Sequence, residues 1–256
     1  MLIGLDHIVI AVSNLEAAIA SYRELGFTVI PGGRHPVGTH NGLISFADGS
    51  YIEIIAFYRE NPDHRWWGAL QKGGGLVDFC MQTDDLTGDT LKLRNAGVNI
   101  ADPVPWMRTR PDGYRVKWLL SLAAEPHRGV APFLIQDVTP RDERVPREVT
   151  HKNGAIGISI VTTAVDDLAG LRRWYKSALG YEGKPLQREE LNGEGVRFRI
   201  GPHFFDFLRP LTEQSPLAAW IKTRGPSPYA ATLRTRSGQV GSLDPALTHG
   251  AALSFE

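Results

Sequence analysis

The 256-residue sequence is poor in the features that mark secreted, membrane or nucleic-acid-binding proteins. It has one cysteine, Cys80, so no intramolecular disulfide can form, and this predicts a cytoplasmic location. Lys plus Arg (28) equals Asp plus Glu (28), and the zero net charge indicates neither a nucleic-acid nor a membrane partner. The apolar N-terminus is interrupted by Asp6 and His7, and no stretch approaches the roughly 18 apolar residues of a membrane span. It also lacks the basic region and cleavage site of a signal peptide.

Several catalytic signatures are missing as well. The chain contains no G-x-S-x-G, no H-E-x-x-H and no C-x-x-C motif, so a hydrolase or oxidoreductase built on one of them is not supported. The glycine-rich stretch 32–41 does not open a helix, which excludes a Walker motif and a dinucleotide fingerprint. Two interpretations of this stretch stay open: an anion-binding loop that uses backbone N–H groups and Arg34, or a plain connection between strands.

The sequence does contain a recurring pattern of secondary structure. A strand at 8–12 leads into an amphipathic helix that begins at Leu15, for which Ser13 and Glu16 form a capping box. Gly26 stands where a helix ends. Three further strands are predicted at 27–30, 43–46 and 51–57. The order is therefore β-α-β-β-β.

Two more copies follow at constant displacements. A shift of 71 residues aligns Leu15 with Leu86, and a shift of 153 aligns it with Leu168. A partial fourth copy from Ala230 is predicted to have a short helix at 243–247 and no room for its last two strands. The polar, proline-containing segment 139–152 is predicted to be a linker.

These repeats predict the fold class and the domain organisation. We expect an α+β protein whose βαβββ modules form curved, half-open mixed sheets with the helices on their outer face. Residues 1–145 would form one domain of two modules. Residues 146–256 would form a second, degenerate half, with one module plus a truncated βαβ unit.

The first module resembles the vicinal-oxygen-chelate superfamily, and specifically its glyoxalase-like members. The matching segments are Leu5–Val9, Leu15, Leu25–Phe27, Gly38–Asn41 and Tyr51–Ile54. In that superfamily, two modules pair around one small-molecule site, and the metal ligands come from the first and last strand of each module. The resemblance implies one divalent metal ion (Mg, Mn, Fe or Zn) or a metal-free variant of the site.

Four residues follow as metal ligands from this resemblance. His7 lies on the first strand and Glu53 on the last strand of module one. Asp78 occupies the module-two position where the family has a histidine, and Gln136 lies where an acid is often found. Because side chains alternate along strands, we expect His7 and Glu53 to point into one cavity. A largely oxygen-based set of this kind suits Mg²⁺, Mn²⁺ or Fe²⁺.

Other residues are candidates for substrate contact. Glu53 is the predicted catalytic group, and His40, Asn41 and Arg110 are predicted to bind substrate. Arg108 and Arg110 could clamp a carboxylate at the mouth of the pocket, although flanking a solvated turn is the simpler interpretation. The tryptophans are expected to serve in packing rather than in the pocket: Trp66, Trp67, Trp106 and Trp118.

Three functions are compatible with this sequence. The first is a metal-dependent lyase or isomerase of glyoxalase type, in which Glu53 or a bound water moves a proton next to a carbonyl. The second is a metal-free protein that binds or sequesters a small molecule, as the resistance members of the superfamily do. An extradiol dioxygenase is less well supported, because the second histidine of its iron site is missing. The expected partner is a small molecule, and the chain is expected to be a monomer or a homodimer.

Overall fold

The computed structural model describes residues 1–256 and shows two sheets. Eight strands close into a barrel: β1 (Leu2–Ala11), β2 (Ile30–Arg34), β3 (Thr39–Ser45), β4 (Tyr51–Phe57), β5 (Gly75–Thr83), β6 (Val104–Thr109), β7 (Arg115–Ser121) and β8 (Phe133–Asp137). Their order around the barrel is β1-β4-β3-β2-β6-β7-β8-β5. Modules one and two meet at two edges. One edge is the long β1–β5 pair, and the other is a single pair between Arg34 and Thr109 that completes the closure.

Four helices belong to the barrel half: α1 (Leu15–Glu24), α2 (Trp67–Gln71), α3 (Leu86–Asn95) and α4 (Arg141–Arg144). The Asn14 side chain caps α1 by accepting a hydrogen bond from the Ala17 N–H at 2.9 Å. The predicted cap at Ser13 is therefore wrong by one residue. Gly26 has a φ of +86°, a conformation that glycine adopts without the cost that a side chain adds, and it turns the chain out of the helix.

The second half is an open seven-stranded sheet. Its elements are β9 (Ala155–Ala164), α5 (Leu168–Leu179), β10 (Lys184–Arg188), β11 (Gly193–Ile200), β12 (His203–Pro210), α6 (Pro216–Arg224), β13 (Ser227–Thr235), β14 (Gly241–Ser242) and β15 (Ala252–Phe255). The strand order is β10-β11-β12-β9-β13-β15-β14. The fold class predicted from the repeats is thus confirmed.

The last part of the chain differs from the expected truncated unit. Residues 243–250 contain turns rather than the predicted helix, and β14 and β15 are present. β13 and β15 run parallel, as β1 and β4 do, so this unit keeps a first strand and two final strands and lacks the helix between them. β14 follows β13 after only residues 236–240, a connection too short for the helix and second strand of a full module, and this leaves chain for the last two strands.

Strand pairing confirms the repeat residue by residue. His7 faces Tyr51 across β1 and β4, and Ile160 faces Phe204 across β9 and β12, which is the same pair displaced by 153 at both positions. Glu53 and Asp206 are equivalent in the same way. The two parallel pairs are therefore the same structural unit with different side chains.

Alternation along the barrel strands separates two apolar clusters. Ile8 and Ile10 of β1 point outward into the main core, which is shared with the helices and the second sheet. Val9 and Ala11 point inward and form a smaller cluster inside the barrel. The Phe79 and Phe205 rings, 5.8 Å apart, join the outer surface of the barrel to the second sheet. No helix is long and apolar enough to cross a membrane.

Candidate functional site

A cavity of about 350 Å³ opens inside the barrel. Its apolar walls are largely aromatic, and the rings come from strands of both modules and from the segment before α2: Tyr51, Trp66, Trp106, Trp118 and Phe133. Three of the four tryptophans predicted to serve in packing therefore line the cavity. Basic and acidic side chains are placed among these rings, and a largely apolar pocket with a few converging polar groups is the usual form of a small-molecule site.

His7 and Glu53 converge in this cavity, as the alternation of side chains predicted. His7 Nε2 lies 3.5 Å from Glu53 Oε2, and both side chains are more than nine-tenths buried. The imidazole stacks on Tyr51 with 4.5 Å between ring centroids. Burial of a charge in such surroundings is costly without a partner, so each group stabilises the charged form of the other.

The imidazole is held from behind by a charged network. Asp6 Oδ1 lies 2.7 Å from His7 Nδ1, which leaves Nε2 as the nitrogen presented to the cavity. Asp6 also accepts hydrogen bonds from Arg144, with Nη2 at 2.8 Å from Oδ2, and from Arg141. Both arginines come from α4, inside the segment 139–152 predicted to be a linker. That segment closes the base of the site.

These contacts shift three pKa values in the network. Burial alone would raise the pKa of Asp6, but Arg144 and Arg141 hold it well below its ordinary value. Burial lowers the pKa of His7, yet the hydrogen bonds to Asp6 and Glu53 outweigh this and raise it above its ordinary value. Burial also opposes ionisation of Glu53, but His7 brings the Glu53 pKa down to about 2. Both shifts favour the ion pair, an imidazolium next to a carboxylate.

Two residues of the glycine-rich stretch 32–41 surround the other oxygen of Glu53. Asn41 Nδ2 donates to Glu53 Oε1 at 2.6 Å, and His35 Nε2 lies 4.0 Å from the same oxygen. Gly32 makes room for the amide, because a Cβ there would lie 2.1 Å from Asn41 Oδ1. Asn41 is thus close to the site, where it orients the predicted catalytic carboxylate.

The two ligands predicted from module two do not join the site. Asp78 is buried, but its Oδ2 accepts hydrogen bonds from Arg65 Nη2 at 2.8 Å and from Trp66 Nε1 at 2.9 Å. Gln136 is on the outer face, where its Oε1 caps α3 by accepting from the Leu86 N–H at 2.9 Å. The expectation for Gln136 fails because a strand position shifted by one residue points to the opposite face.

Two predicted substrate contacts also lie elsewhere. His40 is on the outer face of β3, half-buried, with its ring centroid 5.8 Å from that of Tyr58. Arg110 lies beyond the end of β6, where it pairs with Asp112 at 2.5 Å and its Nη1 is 3.3 Å from the carbonyl oxygen of Glu143. Arg108, on the inward face of β6, lines the cavity together with Arg65 and Arg144, whereas Arg110 does not.

Metal binding can be tested against two groups of side chains. Asp6, His7 and Cys80 bring three potential ligand atoms within 4.8 Å of one another. This group does not suit a metal, because the arginines occupy Asp6 and burial holds the pKa of the Cys80 thiol well above its ordinary value. The second group is His7 Nε2, the Glu53 carboxylate and His35 Nε2, which face the cavity. The two imidazoles contact different oxygens of Glu53, so these ligand atoms are more widely spaced than those of the first group.

Sequence patterns had not indicated three residues of the site: His35, Arg144 and Trp118. His35 lies on a loop whose path is set by closure of the barrel, and its Nδ1 is held by Thr39 Oγ1 at 2.9 Å. Arg144 lies in a polar segment that resembles a linker in composition. The one signal in that segment was its run of charged residues 141–144, which is equally typical of a solvated linker.

The fold is that of the vicinal-oxygen-chelate superfamily, and the cavity has the usual form of a small-molecule site. The profile of the Glyoxalase-like domain family matches residues 5–179, and the chain belongs to this family. The resemblance seen in the first module is thereby confirmed. No curated protein matches the chain.

Two solved structures illustrate how far the fold is shared. A hypothetical protein from Staphylococcus aureus is 16% identical, with a TM-score of 0.72 over 100% of this chain and 99% of that chain. A mutant of 4-hydroxymandelate synthase from Streptomyces coelicolor is 13% identical, with a TM-score of 0.60 over 96% of this chain and 78% of that one. At these identities the likeness concerns the fold alone.

Proposed function

We propose that this protein is a glyoxalase-like enzyme, a lyase or isomerase that moves a proton next to a carbonyl group of a small substrate. The observation that carries the proposal is the buried pair of His7 and Glu53, which faces an aromatic cavity and is backed by Asp6. A protonated donor and a carboxylate acceptor side by side are the two groups that such a proton transfer requires.

The chemistry follows from the 3.5 Å between His7 Nε2 and Glu53 Oε2. A substrate carbonyl oxygen that accepts a hydrogen bond from Nε2–H displaces Glu53 from the imidazolium. Loss of that partner raises the proton affinity of Glu53. The carboxylate then takes the proton from the adjacent carbon, and the electron pair of the C–H bond forms an enolate whose oxygen is stabilised by His7. Return of the proton to the other carbon or face gives the isomer.

In a metal-bound form of this site, His7 would lose its Nε2 proton and a divalent ion would take the place of that proton. His7 Nε2, Glu53 and His35 Nε2 would hold the ion, and when bound it would polarise the substrate carbonyl as a Lewis acid. Asp6 supports the assignment, because histidines that bind metals commonly donate their second N–H to a carboxylate. Burial lowers the pKa of His35 to about 4, so this imidazole is neutral near pH 7, as a ligand must be.

The experiment uses solvent exchange with a panel of 2-oxo acids and α-hydroxyketones in D2O. We expect NMR to show loss of the C–H signal with the wild-type protein. Glu53→Gln should slow the exchange by about 10²–10⁴-fold, the usual contribution of a positioned base. Glu24→Gln, on the exposed end of α1, is the matched control and should exchange like wild type. Equal rates for Glu53→Gln and wild type, or no exchange with any panel member, would refute the proposal.

A second function is favoured by one observation. Asp78 is neutralised by Arg65 and Gln136 faces outward, so module two supplies no ligand, as expected of a metal-free binding or resistance protein. Metal analysis of the purified protein discriminates between the two functions. About one equivalent of Mn, Fe or Zn in wild type and none in His7→Ala supports the metal-dependent enzyme. No metal after growth with each ion, together with tight binding of a panel compound without exchange, supports the binding protein.

A further inference from the structure

The buried carboxylates around the cavity each have a basic partner. Asp6 is bound by Arg144 and Arg141, and Asp137 lies 2.5 Å from Arg144. Asp78 is paired with Arg65, as described above, and Glu53 with His7. Buried charges in proteins are normally paired in this way, because an isolated ion loses its hydration without compensation.

Arg108 is the exception among these charged groups. It is 3% exposed, yet no carboxylate lies within the 4.0 Å of an ion pair. Its Nη2 donates to the carbonyl oxygen of Arg144 at 2.7 Å, and its Nε has no partner. The guanidinium lines the cavity, so a ligand in the cavity can reach it. One positive charge on the cavity wall is therefore left without an anion.

We propose that Arg108 is the anion-binding residue of the cavity and that the ligand is a small monocarboxylate with an aromatic or bulky apolar body. This rests on the proposed function in taking the barrel cavity as the substrate site. A carboxylate matches the planar fork of a guanidinium and supplies the counter-charge that Arg108 lacks. A phosphate monoester, which carries nearly two charges at neutral pH, would leave a surplus.

The side chains next to Arg108 indicate what the uncharged part of the ligand is. Trp106 lies two positions earlier on the same face of β6, and Trp118 lies on the neighbouring strand β7. Rings of this kind bury a flat apolar group and cannot satisfy a second charge. The volume of about 350 Å³ suits a compound of ring-plus-carboxylate size. On the opposite wall, His7 and Glu53 would meet the reacting carbon.

The test is calorimetric binding of three probes: phenylacetate, the neutral phenylacetamide and phenyl phosphate. Wild type should bind phenylacetate roughly tenfold to a hundredfold more tightly than the amide, the range expected when a charge-assisted hydrogen bond is lost. Arg108→Met should lose this preference, and Arg108→Lys should keep part of it. Arg110→Met, two positions further along the chain, is the matched control and should bind like wild type.

Several outcomes would overturn the assignment. They are equal affinity for acid and amide in wild type, unchanged phenylacetate binding in Arg108→Met, and no phenylacetate binding at millimolar concentration. Tighter binding of phenyl phosphate would show a phosphate site instead. If Arg108→Met fails to fold, Arg108→Lys decides: a reduced preference for the acid supports the assignment, and an unchanged preference overturns it.

Calorimetric binding and the D2O exchange experiment, taken together, separate this inference from the proposed function. Binding that depends on Arg108, together with absent exchange, supports the subsite and refutes the enzyme. Exchange that is lost in Glu53→Gln, together with phenylacetate binding that is unchanged in Arg108→Met, supports the enzyme and refutes the subsite.

Discussion

The barrel and the open sheet contain the same parallel strand pair, but the buried acid on the second strand of the pair has different neighbours in each. Glu53 of β4 and its counterpart Asp206 of β12 are both buried acids. Glu53 faces a histidine and an aromatic cavity, whereas Asp206 is held by Arg197 Nε at 2.6 Å and by Arg188 Nη1 at 3.3 Å. The position equivalent to His7 is Ile160. An acid at this point of the module can thus either face a cavity or be held in ion pairs with arginines, depending on its neighbours.

The neighbours differ because only the first sheet closes. In the barrel, module two covers the inward face of module one and turns it into a cavity that excludes most of the solvent. In the open sheet, the partner unit of β13, β14 and β15 lacks a helix and a second strand, and that face is not enclosed. Arg197 and Arg188 extend from neighbouring strands and neutralise Asp206 directly.

The largest effect expected is on stability and separates the two networks. Asp6→Asn should lower the free energy of unfolding by about 3–5 kcal/mol, because it leaves Arg144 buried without a full counter-charge. Asp206→Asn should cost only about 1–2 kcal/mol, since the side chains of Arg197 and Arg188 are 29% exposed and solvent can hydrate them. Urea unfolding at pH 7 measures both variants. Equal losses would contradict the distinction between an enclosed and an open face.

A smaller effect should appear in the pH dependence of the barrel. Burial lowers the pKa of His35 from 6.5 to about 4, so the unfolded chain binds a proton between these values and the folded protein does not. The contribution of His35 to the free energy of unfolding should therefore be fully present above pH 6.5. It should fall as the pH drops towards 4, by on the order of 3 kcal/mol.

His35→Gln should remove that part of the slope, and the measurement is urea unfolding at pH 7, 6 and 5. His151→Gln, in the segment between the two halves, is the comparison variant. Its pKa is also lowered by burial, but the hydrogen bond between its Nε2 and the carbonyl oxygen of Ser45 opposes that lowering, so the change in slope should be smaller. A wild-type slope retained in His35→Gln would contradict the enclosed, neutral state of this imidazole.

The smallest effect is expected for a substitution in the open sheet. Ile160→His places a histidine at the position equivalent to His7, next to a buried acid. We expect a stability loss of about 1 kcal/mol and no uptake of Mn²⁺ or Zn²⁺, because Arg197 already neutralises Asp206. Metal analysis of this variant in a His7→Ala background isolates the second half. Stoichiometric metal there would show that a histidine alone makes the site.

Local patterns predicted much of the fold because they are short-range. The helix at Leu15 and the strand 51–57 follow from periodicities within single elements. The strand β6 has no local signal of its own, since Val104–Thr109 shows neither clear alternation nor a typical strand composition. His7 and Glu53 were placed correctly because each lies an even number of positions from apolar neighbours that face the same way.

The βαβββ repeat, the family and the inward direction of His7 and Glu53 could all be predicted from the amino-acid sequence. These depend on side-chain periodicity, which is set within one helix or strand. Three features follow only from the three-dimensional arrangement: Gln136 faces α3, Arg144 supports the Asp6–His7 pair, and Arg108 rather than Arg110 reaches the cavity. Closure of the barrel brings these residues together from distant parts of the chain, and a register that differs by one residue exchanges the inside of a strand for the outside.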